Sequence, residues 1–275
     1  MTDTDFSDSH IFLNNKLCEK AHFQTPVESL AVYEVLKVVS GIPLFYEDHI
    51  KRLNNSIKLA HIEYFIISES LFIDQIKTLC KANNAYFGNV ELRVSKLADN
   101  SIQSFIGFIP SSYPQPVSYI EGVKLALFKA ERENPNAKVK NTQTRISANK
   151  LIADKNVFEV LLVNDEDFIT EGSRSNVFFI QGNTVYSAPL EYILPGITRK
   201  YAIKALEKIN VSMAEKLVNK NELHTLDAAF LCGTSLGILP IKQIDNWVFD
   251  LQNKWLRGAM FEYNVIVQAY LSENS

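Results

Sequence analysis

Apolar residues recur with a helical period in two stretches of the first part of the chain. Glu47 to His61 and Ser68 to Asn83 place an apolar residue at every third or fourth position, which predicts two amphipathic helices. Other stretches are rich in β-branched and aromatic residues and end at turn-forming residues, which predicts strands. These are Ile11 to His22, a hairpin turning at Asn14-Asn15, followed by Tyr33 to Val39, Phe87 to Ser95 and Ile102 to Ile109.

A second series of elements follows Ser111 to Pro116, where two prolines and two serines interrupt the pattern. The periodicity predicts helices over Arg145 to Lys155, from near Ile197, and over roughly Asp250 to Leu271. Predicted strands are Val123 to Phe128, Val157 to Val163, Phe168 to Ile169, Asn176 to Ile180, Thr184 to Ser187, a strand near Val211 and Ala228 to Cys232, and Arg132 to Asn136 is a predicted polar loop.

Strands cluster within each half of the chain and have helices beside them, which favours two α+β domains over one doubly wound sheet. We place the domains at residues 1–112 and 119–275, with a linker at 113–118. A site for chemistry would then tend to lie in the cleft between them.

Composition excludes several classes of function. With 275 residues, 47% of them hydrophobic, the chain can bury a large core. A net charge of −3 argues against nucleic acid as the main partner. Cys18, Cys80 and Cys232 are far apart, which argues against a metal site or a disulfide framework and favours a reducing compartment. The acidic start has no apolar core for secretion and no apolar run is long enough to span a membrane, so we expect a cytoplasmic protein.

Four short segments carry candidate chemistry, although each alone has a plain structural interpretation. His49 and Arg52 are three residues apart on a predicted helix, where a guanidinium could bind a phosphate or simply face solvent. Lys138 and Lys140 could each attack an aldehyde if the amine has a lowered pKa, or lie on the surface.

The other two segments are a turn and a helix start. Ile169 to Asn176 leaves a strand, turns at Gly-Ser and re-enters a strand, which is typical of a hairpin with Glu171 at its end. Pro195-Gly-Ile-Thr-Arg199 opens a helix, whose first backbone N–H groups could bind an anion or only begin the helix.

In this order the segments resemble the class IV pyridoxal-phosphate enzymes. That family includes branched-chain aminotransferases, D-amino-acid aminotransferases and aminodeoxychorismate lyases. The resemblance runs from about residue 11 to the C-terminus. The matching motifs are Tyr33-Glu34-Val-Leu-Lys-Val with Gly41, His49-x-x-Arg52-Leu, Lys138-x-x-Asn141, Glu159, Glu171-Gly-Ser-x-Ser-Asn176-Val-Phe, Pro195-Gly-Ile-Thr-Arg199, and Cys232-Gly-Thr234-Ser235 with Pro240-Ile241.

The resemblance implies the fold-type-IV architecture, with a small N-terminal α/β domain and a larger C-terminal α+β domain that carries the cofactor lysine. It implies pyridoxal 5'-phosphate as the cofactor, an amino acid and a 2-oxo acid as substrates, and a homodimer. Lys138 would hold the cofactor and move a proton at the substrate Cα, and Glu171 would keep the pyridine nitrogen protonated. Lys140 also remains a candidate, but an ungapped count back from Glu159 favours Lys138.

The phosphate of the cofactor would be bound by residues from three segments under the same resemblance. These are Arg52, the N–H groups of Ile197 and Thr198, and the turn containing Thr234 and Ser235. Three further residues, Tyr33, Arg93 and Arg174, would line the substrate pocket.

The motifs do not agree on one type of reaction, since some resemble transaminases and others resemble lyases. Tyr33-Glu34 resembles a transaminase strand, whereas Gly233 to Pro240 resembles the lyases. Arg174 stands where the family has a small residue, and Arg93-Val-Ser-Lys96 does not reproduce the arginine segment of the D-amino-acid enzymes. We expect an aminotransferase, with aminodeoxychorismate lyase as the alternative and a non-catalytic cofactor-binding protein or plain scaffold as a third hypothesis.

Overall fold

The computed structural model describes residues 2–3, 9–23, 28–62, 66–131, 138 and 143–275. Within these ranges the chain divides into two compact units. The first unit contains the described residues up to Tyr113 together with Lys138 and Gln268–Ser275, and the second contains residues 114–131 and 143–267.

Two short segments therefore group differently from the domain boundaries that the sequence suggested. Lys138 and the last eight residues, Gln268–Ser275, belong to the first unit although they follow the proposed linker. The reason is local bonding, because the Lys138 carbonyl accepts a hydrogen bond of 3.2 Å from the Tyr33 N–H. Likewise the Tyr270 hydroxyl donates to Glu47 Oε2 at 2.8 Å.

The first unit is built on a six-stranded antiparallel sheet in the described residues, with strand order β3-β2-β7-β6-β4-β5. The predicted hairpin is confirmed, since β2 and β3 turn at Asn14 and Asn15, both with positive φ. A separate pair joins β1 to β8. The strands are β1 (Thr2–Asp3), β2 (His10–Leu13), β3 (Lys16–Glu19), β4 (Glu28–Val39), β5 (Ile42–Pro43), β6 (Gly88–Leu97), β7 (Ile102–Ile109) and β8 (Ser112–Tyr113), with a short 3₁₀ helix at Lys20–His22.

The two predicted helices of this unit are confirmed as α1 (Tyr46–Leu59) and α2 (Glu69–Asn83). Their apolar stripes join the sheet in one core, to which Leu53, Ile57 and Ile76 contribute. Burial of such side chains is the main force that holds helices on a sheet, at roughly 25 cal/mol per Å² of apolar surface.

An unusual residue precedes α1. Phe45 has a left-handed backbone with φ of 55°, although it is neither Gly nor Asn and is buried. Its ring lies 4.8 Å from the ring of Tyr270, centroid to centroid, and the Tyr46 N–H donates to the Tyr270 hydroxyl at 3.3 Å. These contacts offset a backbone cost of the order of 1–3 kcal/mol.

The second unit contains a larger, mixed sheet with the order β14-β13-β12-β16-β17-β9-β10-β11-β15, and β18 pairs with β17. Parallel pairs join β9 to β10, β9 to β17 and β13 to β14. Its strands are β9 (Val123–Lys129), β10 (Glu159–Val163), β11 (Phe168–Gly172), β12 (Asn176–Gln181), β13 (Thr184–Ser187), β14 (Ser212–Glu215), β15 (Val218–Asn219), β16 (Ala228–Gly233), β17 (Gly237–Ile244) and β18 (Trp247–Val248).

The helices that follow Tyr113 belong to this unit, except that the last of them ends in the first unit, from Gln268 onward. The α-helices are α3 (Ser118–Glu121), α4 (Gln143–Lys155), α5 (Ile197–Lys208) and α6 (Lys254–Glu273), and 3₁₀ helices span Leu190–Tyr192 and Lys220–Thr225. One core contains Leu161, Phe179 and Leu231, and a smaller cluster packs Ala148 of α4 against Val160. The mixed α+β class predicted from the sequence is confirmed.

One strand was missed by the sequence prediction, and one predicted loop lies where the structure is not described. Strand β17 was not predicted from the sequence, and it contains Pro240, which lacks a backbone donor. The predicted polar loop at Arg132 to Asn136 lies outside the described residues. No helix in the described ranges is long and apolar enough to cross a membrane.

Candidate active site

A buried charged group lies between β4 and α1 in the first unit. Alternation along β4 places Glu34 on the core side of the sheet, where it is fully buried. One turn of α1 brings His49 and Arg52 onto it. Arg52 Nε and Nη2 donate to Glu34 Oε1 and Oε2 at 2.6 and 2.7 Å, and His49 Nδ1 lies 2.7 Å from Oε2.

This geometry excludes one of the sequence-based alternatives. His49 and Arg52 are 3% and 8% exposed, so the helix face that carries them is not solvated. Two hydrogen bonds to the buried Glu34 carboxylate fix the plane of the Arg52 guanidinium.

The protonation states of Glu34 and His49 are set by burial and by neighbouring charges. Burial acts to raise the pKa of Glu34, but the Arg52 and Lys138 cations and hydrogen bonds from Arg52 and His49 outweigh it and hold that pKa well below its usual range. Burial lowers the pKa of His49 below its ordinary value, and Glu34 only partly opposes this. At neutral pH Glu34 is therefore ionised and His49 neutral, so the Nδ1–H of His49 donates to the carboxylate.

Lys138 lies beside the same carboxylate. Its Nζ is 3.8 Å from Glu34 Oε2 and 5.5 Å from the centroid of the Tyr33 ring, and 15% of its side chain is exposed. The first unit thus brings four predicted motif residues together, namely Tyr33, His49, Arg52 and Lys138. Lys140 lies outside the described residues, so the choice of Lys138 stays a prediction.

Arg93 faces a different environment. It pairs across the sheet with Tyr33 and is 6% exposed. Its Nε lies 3.3 Å from Glu91 Oε1, and its guanidinium carbon lies 4.9 Å from the Phe105 ring centroid. Its proposed place in a substrate pocket remains a prediction.

In the second unit, Glu171 is fixed at the end of β11. It is 2% exposed, and its Oε2 accepts hydrogen bonds of 3.2 Å from Asn176 Nδ2 and from the Leu194 N–H. Asn176 Nδ2 also donates to the Leu194 carbonyl at 3.0 Å. A carboxylate oriented in this way can accept a hydrogen bond from a protonated ring nitrogen, which is the role that the resemblance implied for Glu171.

The turn after Glu171 is organised by a second buried carboxylate, Glu159. Its Oε1 accepts from the Arg174 N–H at 2.5 Å, and its Oε2 accepts from Ser175 Oγ at 3.0 Å. Burial raises the pKa of Glu159, and hydrogen bonds and arginine charge only partly oppose it. In the sequence, Glu159 is one of the matching motifs and the position from which Lys138 is counted, but its place at the start of an apolar strand does not by itself predict a role in the turn.

Two arginines of the second unit also contact this region. Arg145 of α4 donates to the Ser173 carbonyl at 2.7 Å, and Arg174 donates to Asn149 Oδ1 at 2.5 Å. The Arg174 side chain is exposed. Its predicted contact with substrate is not shown by these bonds and stays a prediction.

The first turn of α5 supplies backbone N–H groups from Ile197 and Thr198, both buried. Gly196 caps this helix, and a side chain there would collide with Asn176 Oδ1. The glycine therefore lets the helix start approach the Glu171–Asn176 pair closely. Since α5 has twelve residues, its dipole adds to the anion affinity of these N–H groups.

The turn after β16 contains Thr234 and Ser235 and is contacted by tyrosines of α3 and α6. Tyr119 Oη donates to the Leu236 carbonyl at 2.8 Å. The ring of Tyr263 packs against Gly237, whose φ of 60° suits glycine, and a Cβ there would lie 3.1 Å from Tyr263 Cε1. The Tyr263 hydroxyl is hydrogen-bonded to the Thr198 side chain. One tyrosine thus links both predicted phosphate-binding elements of this unit.

These features match a known family over most of the chain. The family model described as amino-transferase class IV matches residues 31–244, well over half of the sequence. The chain belongs to the class IV aminotransferases. This family is enzymatic and depends on pyridoxal phosphate.

This chain has relatives whose names give different activities. It is 26% identical over 261 residues to a D-alanine aminotransferase of Bacillus licheniformis, covering 86% of this chain and 88% of the relative. It is 24% identical over 247 residues to an aminodeoxychorismate lyase of Bacillus subtilis, covering 84% and 83%. The relatives thus include both reaction types that the sequence left open.

Solved structures support the fold-type-IV assignment. A branched-chain amino acid aminotransferase of T.th., solved with pyridoxamine 5'-phosphate, is similar with a TM-score of 0.83 at 18% identity, covering 96% of each chain. A putative 4-amino-4-deoxychorismate lyase of Legionella pneumophila is similar with a TM-score of 0.76 at 26% identity, covering 86% of this chain and 90% of that one.

Proposed function

We propose that this chain is a pyridoxal-phosphate-dependent aminotransferase that moves an amino group between an amino acid and a 2-oxo acid. The observation that carries the proposal is the buried Glu171 carboxylate, oriented by Asn176 and the Leu194 N–H. A buried acceptor held by two donors suits a cationic ring nitrogen, and the family supplies the reaction class.

Each unit contains donors that suit a part of pyridoxal phosphate. A guanidinium at Arg52 and the N–H groups at the start of α5 suit a phosphate, and the amine of Lys138 suits an aldehyde. When bound, this cofactor supplies an aldehyde that links to amines and a ring that withdraws electrons from the substrate Cα.

Each residue then has a defined task. Lys138 would hold the cofactor through its amine and would move the proton at the substrate Cα. The Glu171 carboxylate, oriented by Asn176 and the Leu194 N–H, would keep the pyridine nitrogen protonated. Arg52 anchors the phosphate, and its plane is set by Glu34. These tasks complete a transamination half-reaction, whereas a lyase must also protonate a departing enol-pyruvate chain.

The test is to mix the holoenzyme with each L- and D-amino acid alone and follow the absorption of the bound cofactor. We expect conversion to the pyridoxamine form with at least one amino acid, reversed by a 2-oxo acid. Glu171→Gln should keep the cofactor but convert about 10²- to 10³-fold more slowly, because the ring nitrogen loses its anionic partner.

A different result would assign the alternative activity. No conversion with any amino acid, together with pyruvate release from aminodeoxychorismate, would make the protein a lyase. The family resemblance also supports a homodimer as the working unit, and sedimentation of the holoenzyme would test that.

A further inference from the structure

Glu34 does not touch the cofactor in the function proposed above, yet it is a fully buried carboxylate with several charged neighbours. It is 0% exposed, and it contacts Arg52 twice, His49 once and the amine of Lys138. Burying a carboxylate costs several kcal/mol unless its lone pairs are used. In Glu34 both carboxylate oxygens are used, by Arg52 and His49.

We propose that Glu34 is a positioning residue that couples the phosphate contact of Arg52 to the amine of Lys138. The proposal rests on the proposed function, since it takes both side chains as cofactor ligands. Glu34 itself does not touch the cofactor in this scheme.

The first part of the argument is geometric. Two hydrogen bonds of 2.6 and 2.7 Å, from Nε and Nη2 to the two carboxylate oxygens, fix the guanidinium plane of Arg52. His49 holds the carboxylate from the same helix at 2.7 Å. Because all three side chains are buried, the orientation of Arg52 does not depend on a bound phosphate. Preorganisation of this kind lowers the entropy cost of binding an anion.

The second part concerns charge. Glu34 Oε2 is shared between Arg52, His49 and the Lys138 amine, which lies 3.8 Å away. The described charged and titratable groups that face Lys138 from β4 and α1 are Glu34 and Tyr33 on the strand and His49 and Arg52 on the helix. The Lys138 cation favours ionised Glu34, and by reciprocity the carboxylate favours a protonated nitrogen on Lys138.

Replacing Glu34 should therefore change two properties. One is phosphate binding, which depends on Arg52, and the other is protonation of the Lys138 nitrogen. Loss of the bidentate contact would free the guanidinium and weaken phosphate binding. Loss of the charge would also make the Lys138 nitrogen give up its proton more readily. A residue that only supports the fold would not produce this pair of changes.

The experiment compares wild type, Glu34→Gln and Glu34→Asp, with Glu91→Gln as the matched control. Glu91 lies on the neighbouring strand β6, and its contact is with Arg93 rather than with this group. Apoprotein is titrated with pyridoxal phosphate and, separately, with pyridoxal, which lacks the phosphate. The pH midpoint of the absorption change of the lysine-bound cofactor is then measured for each protein.

For Glu34→Gln we expect pyridoxal phosphate affinity to fall about 10- to 100-fold, the range for lost charged hydrogen bonds, with a smaller change for pyridoxal. The pH midpoint should move to lower pH by about one unit. Glu34→Asp retains the negative charge but has a shorter side chain that no longer reaches Arg52 in the same way. It should therefore lose the preference for pyridoxal phosphate over pyridoxal, with a smaller change in the pH midpoint.

The outcomes separate this proposal from the proposed function. If wild type binds no pyridoxal phosphate, the proposed function is wrong and this inference falls with it. If wild type binds and Glu34→Gln keeps the phosphate preference and the midpoint of wild type, Glu34 is not a coupling residue. Should Glu34→Gln fail to fold by circular dichroism, the Glu34→Asp result decides, and an unchanged phosphate preference there overturns the proposal.

Discussion

Glu34 and Glu159 are both almost completely buried carboxylates, but their surroundings act on them in opposite directions. Cations and hydrogen bonds hold the pKa of Glu34 far below its usual range, whereas burial raises the pKa of Glu159. The difference arises because two cations and His49 surround Glu34, while Glu159 is held largely by a backbone N–H and serine hydroxyls. Glu34 is thus placed to influence other charges, and Glu159 to shape a turn.

At the same scale, the assignment of the cofactor lysine can be tested directly. Reduction of the holoenzyme with borohydride followed by peptide mass spectrometry should place the pyridoxyl group on Lys138. The expectation follows from the amine of Lys138, which lies 3.8 Å from Glu34 in the group that contains Arg52. Label on Lys140 would correct the assignment and leave the family intact, and Lys138→Ala should then remain labelled.

The sequence predicted those parts of the site whose motifs lie within a short stretch of the chain. The motifs that carry Arg52 and Glu171 were visible because they are short and lie on elements with clear periodicity. The bidentate pairing of Arg52 with Glu34 was not, since it requires α1 to pack on β4 eighteen residues earlier. For the same reason the link from Tyr263 to Thr198 has no sequence signature.

That link gives a prediction for helix α6. Tyr263→Phe keeps the ring against Gly237 but removes the hydroxyl bonded to Thr198. A single such hydrogen bond is worth about 0.5–1.5 kcal/mol, so pyridoxal phosphate affinity should fall about 2- to 10-fold, with pyridoxal affinity nearly unchanged. Fluorescence titration measures both. Tyr186→Phe on β13 is the control, and equal losses for the two ligands would contradict a phosphate-specific role.

For the whole molecule, the buried group of the first unit sets a dependence of stability on pH. The pKa of Glu34 is depressed in the folded state, so its contribution is present above the ordinary value of 4.5 and is lost as pH falls below it. The lowered pKa of His49 acts in the same direction, below its ordinary value of 6.5. Glu159, with a raised pKa, acts in the opposite direction and partly offsets the loss.

We therefore expect the free energy of unfolding of the apoprotein to decrease on acidification. At neutral pH, Glu34→Gln should be less stable than wild type by about 3–5 kcal/mol, the usual cost of breaking a buried ion pair. That gap should narrow once the pH falls below about 4.5, where the unfolded carboxyl of wild type takes up a proton. Urea unfolding at several pH values measures this difference in the free energy of unfolding. A difference that does not change with pH would show that Glu34 is not ionised in the folded protein.

The contact between Phe45 and Tyr270 has a consequence for biosynthesis. The start of α1 is fixed by a tyrosine that lies 224 positions after Tyr46. A ribosome making this chain exposes β4 and α1 early, but it supplies Tyr270 only after all of the second unit has been synthesised. Although domains tend to fold from the N-terminus during synthesis, here the helix that carries Arg52 must wait for its final contacts. The nascent first unit therefore completes the contacts at the start of α1 only after Tyr270 has emerged from the ribosome.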